Sequence, residues 1–225
     1  MSIVTLRERI SRKTHFSFSK IEEENFFNFC KNKIEMIPKN HSETAIERQL
    51  LLLFANYIKL NPYLFSNLKE ISFELEEKKK SLQGIFLLLK ELFEIESYFP
   101  NENLKDYFLN LLLKNFKNYQ RTIASCFVIL VSIYNEDLKD PLKEILFSKE
   151  IEFNDSDLLE LLIQFREKNG ISIENFKNLF FSLLENFKKS DEEEVRITIL
   201  DFFLTIIESS QLTNEIYFDS KMLEM

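Results

Sequence analysis

Tryptophan does not occur in this chain, glycine occurs twice and proline four times in 225 residues. Average usage is about 7% for glycine and about 5% for proline. Glycine is what lets a backbone turn tightly or approach a phosphate closely. With only Gly84 and Gly170, neither a GxGxxG loop nor a Walker-type GKS/T loop can be written. Histidine is almost as scarce. His15 and His41 have no metal-ligand partner three or four residues on, and no HExxH or nucleophile elbow occurs. Cysteine is limited to Cys30 and Cys126, too few for a disulfide framework. Cys30 follows Phe26, Phe27 and Phe29 and reads as core rather than as half of a Cys30–His41 nucleophile pair. Two reduced, buried thiols point to the cytoplasm or nucleus. The longest uncharged run, Thr122 to Tyr134, is shorter than the roughly 20 residues a bilayer requires. No secretory apolar segment opens the chain. No catalytic residue, cofactor site, metal site or membrane span is therefore expected.

What is present is apolar bulk and charge. Phe occurs 24 times, and the formal net charge is −8. The charge is uneven. Residues 1–20 hold Arg7, Arg9, Arg12, Lys13 and Lys20 against Glu8 alone, a balance of +4 that leaves −12 for the rest. An acidic body favours basic protein partners, and nucleic acid is expected only through the basic segment. Within it, Arg12-Lys13-Thr14-His15-Phe16-Ser17-Phe18 alternates cations with aromatics. Phe16 and Phe18 could stack bases while the cations meet phosphates, or could pin the segment to the first helical hairpin. A disordered tail and an organelle presequence are the other readings. The carboxylate clusters Glu22–Glu24, Glu76-Glu77 and Asp191–Glu194 lack the glycine turns of acidic metal loops. They read as solvated faces and helix starts.

The apolar residues recur with helical spacing. Phe176, Leu179, Phe180, Leu183, Leu184 and Phe187 follow the i, i+3, i+4, i+7 template completely. Leu104, Tyr107, Phe108, Leu111 and Leu112 repeat it, as do Leu64, Leu68, Ile71 and Leu75 less fully. Each such helix is followed by one that is apolar nearly all round: 49–58, 85–93, 122–134 and 195–207. A helix apolar on every side is covered on several sides. The anchors Leu68, Leu104 and Phe176 stand 36 and 72 residues apart, with Leu142 near the missing midpoint. Two helices recurring at that period signal a solenoid. The expected layout is all-α. A basic tail over 1–20 leads a single repeat domain over 21–225, with five hairpins near 20–60, 62–98, 102–135, 140–169 and 172–209. A capping helix near 213–223 completes it. Asn61-Pro62 and Asp140-Pro141 are expected to place a cap before proline at the first helical position. Pro100-Asn101 and Asn154-Asp155-Ser156 mark helix starts, Asn169-Gly170 a helix stop, and Asp191 with Glu194 a capping box.

The stretch from Leu179 to Ile207 resembles a HEAT repeat: an outer amphipathic helix, a turn with Asp191, and an inner helix opening with Val195-Arg196. The resemblance implies that Asp191 and Arg196 tie successive repeats in a polar ladder. Other repeats keep the apolar spacing without that pair, and armadillo arrays are close relatives. HEAT-like proteins are generally scaffolds, adaptors and transport receptors, and the fold does not select among these. The expected function is a non-enzymatic protein-binding scaffold or adaptor, a small subunit of a larger assembly. The alternatives are an RNA- or ribosome-associated factor acting through the basic tail and a chaperone nucleotide-exchange protein of armadillo type. A HEAT-like DNA glycosylase would need a basic concave face and aromatic clamps. Candidate contacts on the inner helices are Asn56, Lys59, Lys90, Glu94, Ser125, Ser132 and Asp201.

Overall fold

The computed structural model describes residues 20–39, 44–96, 98–148, 151–171 and 173–208. Arg7, Arg9, Arg12, Lys13, Phe16 and Phe18 lie outside them, as do His15, His41 and the helix expected near 213–223. The described residues are helical, with no strand among them. The chain divides into two compact units, Met1–Ile133 and Tyr134–Met225.

Unit 1 holds α1 (Lys20–Glu35), α2 (Ala45–Leu60), α3 (Leu64–Glu77), α4 (Gln83–Ile95), α5 (Glu102–Asn115), a 3-10 turn (Phe116–Asn118) and α6 (Gln120–Val131). The helices pack by alternation. α2 lies against α4 and α4 against α6, while α3 lies against α5 and α1 against α4. Ten of the 13 residues of α4 are buried. The repeat anchors Leu68 and Leu104 are core residues of α3 and α5. Phe99 and Phe108 stack with ring centres 6.0 Å apart, and Phe65 and Phe93 meet Phe99 edge-on, joining the α3·α5 pair to α4.

Polar contacts cross from helix to helix at a recurring separation. Lys59 reaches the Ile95 carbonyl, 36 residues on, and Ser72 meets Tyr107, 35 residues on. Lys114 pairs with Glu76, 38 residues back, and Leu82 N donates to the Tyr119 hydroxyl, 37 residues on. Gln83 donates to Thr122 over 39 residues, and the Cys126 thiol to the Phe86 carbonyl over 40.

Unit 2 holds α7 (Asn135–Leu146), α8 (Ser156–Asn169), α9 (Ile173–Lys189) and α10 (Glu193–Glu208). α8 packs against α7 and α10, and α9 against α10. Similar separations recur. Asn135 and Asn169 exchange amide bonds over 34 residues, and Asn186 donates to the Phe153 carbonyl over 33. Arg166 donates to the Thr205 carbonyl over 39. Leu142 and Phe176, the remaining anchors, are buried.

Several local expectations change. α3 begins at Leu64, not at Pro62, and Asn61 serves the end of α2 instead: its backbone and side-chain N–H groups donate to the Tyr57 carbonyl. Pro141 lies inside α7, which starts six residues earlier at Asn135. The backbone bond Pro141 cannot make falls on the second turn, where Leu138, Leu142 and Leu146 are fully buried and hold the helix by packing. Asp191 does not cap α10, since Ser190 Oγ accepts from Glu192 N and the helix opens at Glu193. A capping box does form, at Thr44 and Glu47, where the Thr44 side chain accepts from Glu47 N and the Glu47 carboxylate from Thr44 N. Asn101 caps α5 and Asp155 caps α8 as expected. Gly170 ends α8 at φ 71°, ψ 177°, extended rather than left-handed helical and open to glycine almost alone.

Gly84 has a different reason to be glycine. A Cβ there would clash with the Ile34 carbonyl oxygen. The missing side chain lets the end of α1 approach the first turn of α4.

Candidate interaction surface

The stacked helices α2, α4 and α6 are largely buried. Outside the core lie, on α2, its first turn together with Arg48, Leu52, Asn56 and Lys59, on α4 Lys90 and Glu94, and along and just past α6 Arg121, Val128, Ile129 and Ser132. Asn56, Lys59, Lys90 and Glu94 therefore share neighbouring helices, as the inner-helix reading expects. They are not all loose surface groups. Lys59 pairs with Glu96 at 3.5 Å besides reaching the Ile95 carbonyl, so it ties α2 to the end of α4. Glu94 lies 3.9 Å from Arg48 on α2. The Asn56 amide donates back to the Leu52 carbonyl. Ser125 and Ser132 likewise donate to carbonyls of their own turns. Asp201 sits exposed on α10 in unit 2.

Arg48 is the residue that sequence reasoning misses. Its Nε lies 3.3 Å from a carboxyl oxygen of Glu91, whose side chain is 0% exposed. A buried carboxylate needs such a partner, because removing a charge from water costs several kcal/mol, on the order of 5. The signal in the sequence is a lone Glu91 among Leu88, Leu89, Leu92 and Phe93, unexpected on a buried helix.

Asp191 and Arg196 are both exposed. Polar ties between helices include Arg166 to the Thr205 carbonyl, where burial lowers the guanidinium's proton affinity.

Burial quenches a thiol and a phenol among the described residues. Cys30 is buried, and desolvation pushes its thiol up to about 12, so the thiolate is not populated near neutral pH. Burial and then the hydrogen bond to Glu23 raise the Tyr57 phenol well above the ordinary tyrosine range. Among the described residues no group of three or more His, Cys, Asp or Glu could hold a metal ion. No described helix is long and apolar enough to cross a membrane. Compared with known proteins, the chain matches no protein family, no curated sequence and no solved structure.

Proposed function

We propose that the chain is an α-solenoid of HEAT or armadillo type that acts as a non-enzymatic, protein-binding scaffold or adaptor. The observation that carries this reading is the stack of α2, α4 and α6, each largely buried and each with polar groups left outside the core, Arg48, Asn56 and Lys59 on α2, Lys90 and Glu94 on α4, and Arg121 on α6. Contacts recurring at separations near the sequence period of 36 support stacked helical pairs. Such an array offers an extended surface on rigid helices. Binding there draws on shape, charge and a few buried anchors rather than on reacting groups. Arg48, Lys59, Lys90 and Glu94 are the side chains placed to meet a partner. The quenched thiol and phenol fit a chain selected for packing, not chemistry.

The test is co-purification with the full chain from its native source, followed by mass spectrometry. The reading expects a reproducible set of proteins that dissociates as salt rises. A Lys59→Glu, Lys90→Glu variant that stays folded by circular dichroism should lose part of that set. Recovery of no protein, or an identical set from the variant, refutes the assigned surface. A second reading rests on the +4 balance of residues 1–20: an RNA- or ribosome-associated factor that grips phosphate with its N-terminal segment. Deleting residues 1–19 and measuring RNA affinity against salt decides it, since an unchanged salt slope removes that segment as the phosphate contact.

A further inference from the structure

Three stretches far apart in sequence come together at one end of unit 1. They are the end of α1 with the turn after it (31–39), the end of α3 with its turn (74–82), and the end of α5 with the 3-10 turn (114–121). Lys39 Nζ donates to Asn118 Oδ1 at 3.2 Å across 79 residues and lies 5.4 Å from the centre of the Tyr119 ring. The Tyr119 hydroxyl accepts from Leu82 N at 3.1 Å. Lys80 reaches Glu35, and Lys114 reaches Glu76. Lys31 and Lys78 share Glu74, holding its carboxyl below the usual range. The edge they build is the reverse of the acidic chain. These stretches hold nine lysines and arginines against four glutamates, in a protein with 29 such cations against 37 acids.

The plain structural cause is the helix dipole, which favours cations at C-terminal ends. It accounts for part of the pattern. Three helix ends supply only about −0.5 each, too little to cancel five surplus cations. Lys79 argues for more than a dipole. The N–H of Lys79 bonds to the Glu76 carbonyl and that of Lys80 to the Leu75 carbonyl, the Schellman closure of α3. That motif wants glycine at its left-handed position. The chain places Lys79 there at φ 52°, exposed, in a backbone region that strains any residue with a Cβ.

Beside the edge is an apolar cleft of about 160 Å³ lined by Ile34, Met36, Ile37, Leu50 and Leu51, with Lys33 and Glu47. Met36 is 74% exposed there, while Ile34, Ile37 and Leu51 form the buried wall. The volume suits one bulky side chain; small-molecule pockets run from roughly 300 Å³ upward. Glu47 accepts from the Thr44 amide and keeps its charge, which leaves nine cations against five carboxylates around the cleft and edge.

We propose that this lysine edge and the adjoining cleft dock an acidic peptide segment carrying one large apolar side chain. The inference rests on the scaffold reading and names the chemistry of one partner. An apolar anchor next to a cationic ridge fits such a peptide better than it fits a nucleic-acid backbone, which has no use for the cleft.

The test uses the full chain and a fluorescent peptide of glutamates and aspartates around a central phenylalanine. The chain binds it, and affinity falls as salt rises from about 50 to about 300 mM. A Lys39→Glu, Lys79→Glu, Lys117→Glu variant binds at least about tenfold more weakly with helicity unchanged. A peptide with alanine for the phenylalanine also loses about tenfold, the apolar anchor being worth about 1.4 kcal/mol or more. If the triple variant misfolds, the peptide pair on the unaltered chain decides. Absence of binding, indifference to charge reversal, or equal binding of the alanine peptide overturns the proposal. So does preference for a single-stranded oligonucleotide over the peptide, which would make the edge a phosphate-binding surface. Peptide failure with co-purified proteins still retained refutes the edge alone, and failure of both removes the scaffold reading as well.

Discussion

Two helices rich in large apolar residues meet different fates. They are α4 in unit 1 and α10 in unit 2. α4 has α1, α2 and α6 around it, and residues from Gln83 to Phe93 are buried almost without a break. α10 has α8 and α9, and buries Val195, Ile199, Phe202 and Ile206 on one face. Its opposite face leaves Ile197, Leu200 and Leu204 about half exposed, at 51%, 47% and 54%. Apolarity therefore sets how much a helix can bury, and the number of neighbours sets how much it does bury. Each large side chain left out forgoes about 1.5–3 kcal/mol. Among the described residues, the expectation that 195–207 is covered on several sides is not met.

The largest test of the contrast is truncation on matched faces. Leu88→Ala in α4 should cost about 2–5 kcal/mol, because the site is closed on all sides and leaves a cavity. Leu200→Ala in α10 should stay within about 0.5 kcal/mol. Urea denaturation of the full chain measures both. Equal costs would mean that something covers the outer face of α10 in solution.

The two glycines sharpen it next. Gly84→Ala should cost about 1–3 kcal/mol, since the added carbon meets a backbone oxygen that no rotamer change can move. Gly170→Ala meets open space and should cost about 1 kcal/mol from backbone strain alone. A substitution of Ile34 by a smaller residue should not rescue Gly84→Ala, because the clash is with the carbonyl.

The helix stops give a smaller difference of opposite sign. Lys79→Gly should stabilise unit 1 by up to about 1 kcal/mol by relieving the left-handed lysine, while weakening acidic-peptide binding. A loss of stability instead would show that the lysine's contacts outweigh its strain.

At neutral pH the smallest effect is in the thiols. Native Cys30 should react with a thiol reagent only at the rate of unfolding. Its folded value, near 12, lies above the unfolded 9.0, so its contribution is fully present below about pH 9. That stability should fade as pH rises from about 9 toward about 12. Rapid labelling at neutral pH would place Cys30 in a part of unit 1 that opens locally.

Much of the helical plan was legible because its signals are local. Phe176, Leu179 and Leu183 repeat at helical spacing, and the structure buries all three on α9. Asn101 and Asp155 cap where a short polar side chain precedes an apolar run. Proline misled twice, because its fixed φ suits a turn, a first helical position and a second helical turn alike. Pro62 took a turn and Pro141 a second helical turn, according to what packed beside them. Thr44 and Glu47 carried the capping-box spacing in plain sight, while Asp191 and Glu194 carried it to no effect because α10 opens at Glu193, too late for Asp191 to be its cap.

By itself the sequence determined the all-helical build and the exclusion of glycine-loop phosphate chemistry, since period, capping and composition act within a turn or two of chain. Tertiary structure alone decided which apolar faces are covered, which carboxylate Arg48 must answer, and where charge accumulates. Lys39, Lys79 and Lys117 are scattered in sequence and share an edge in space. Electrostatic potential falls with distance through space rather than along the chain, so a net charge of −8 gave no hint of a cationic ridge.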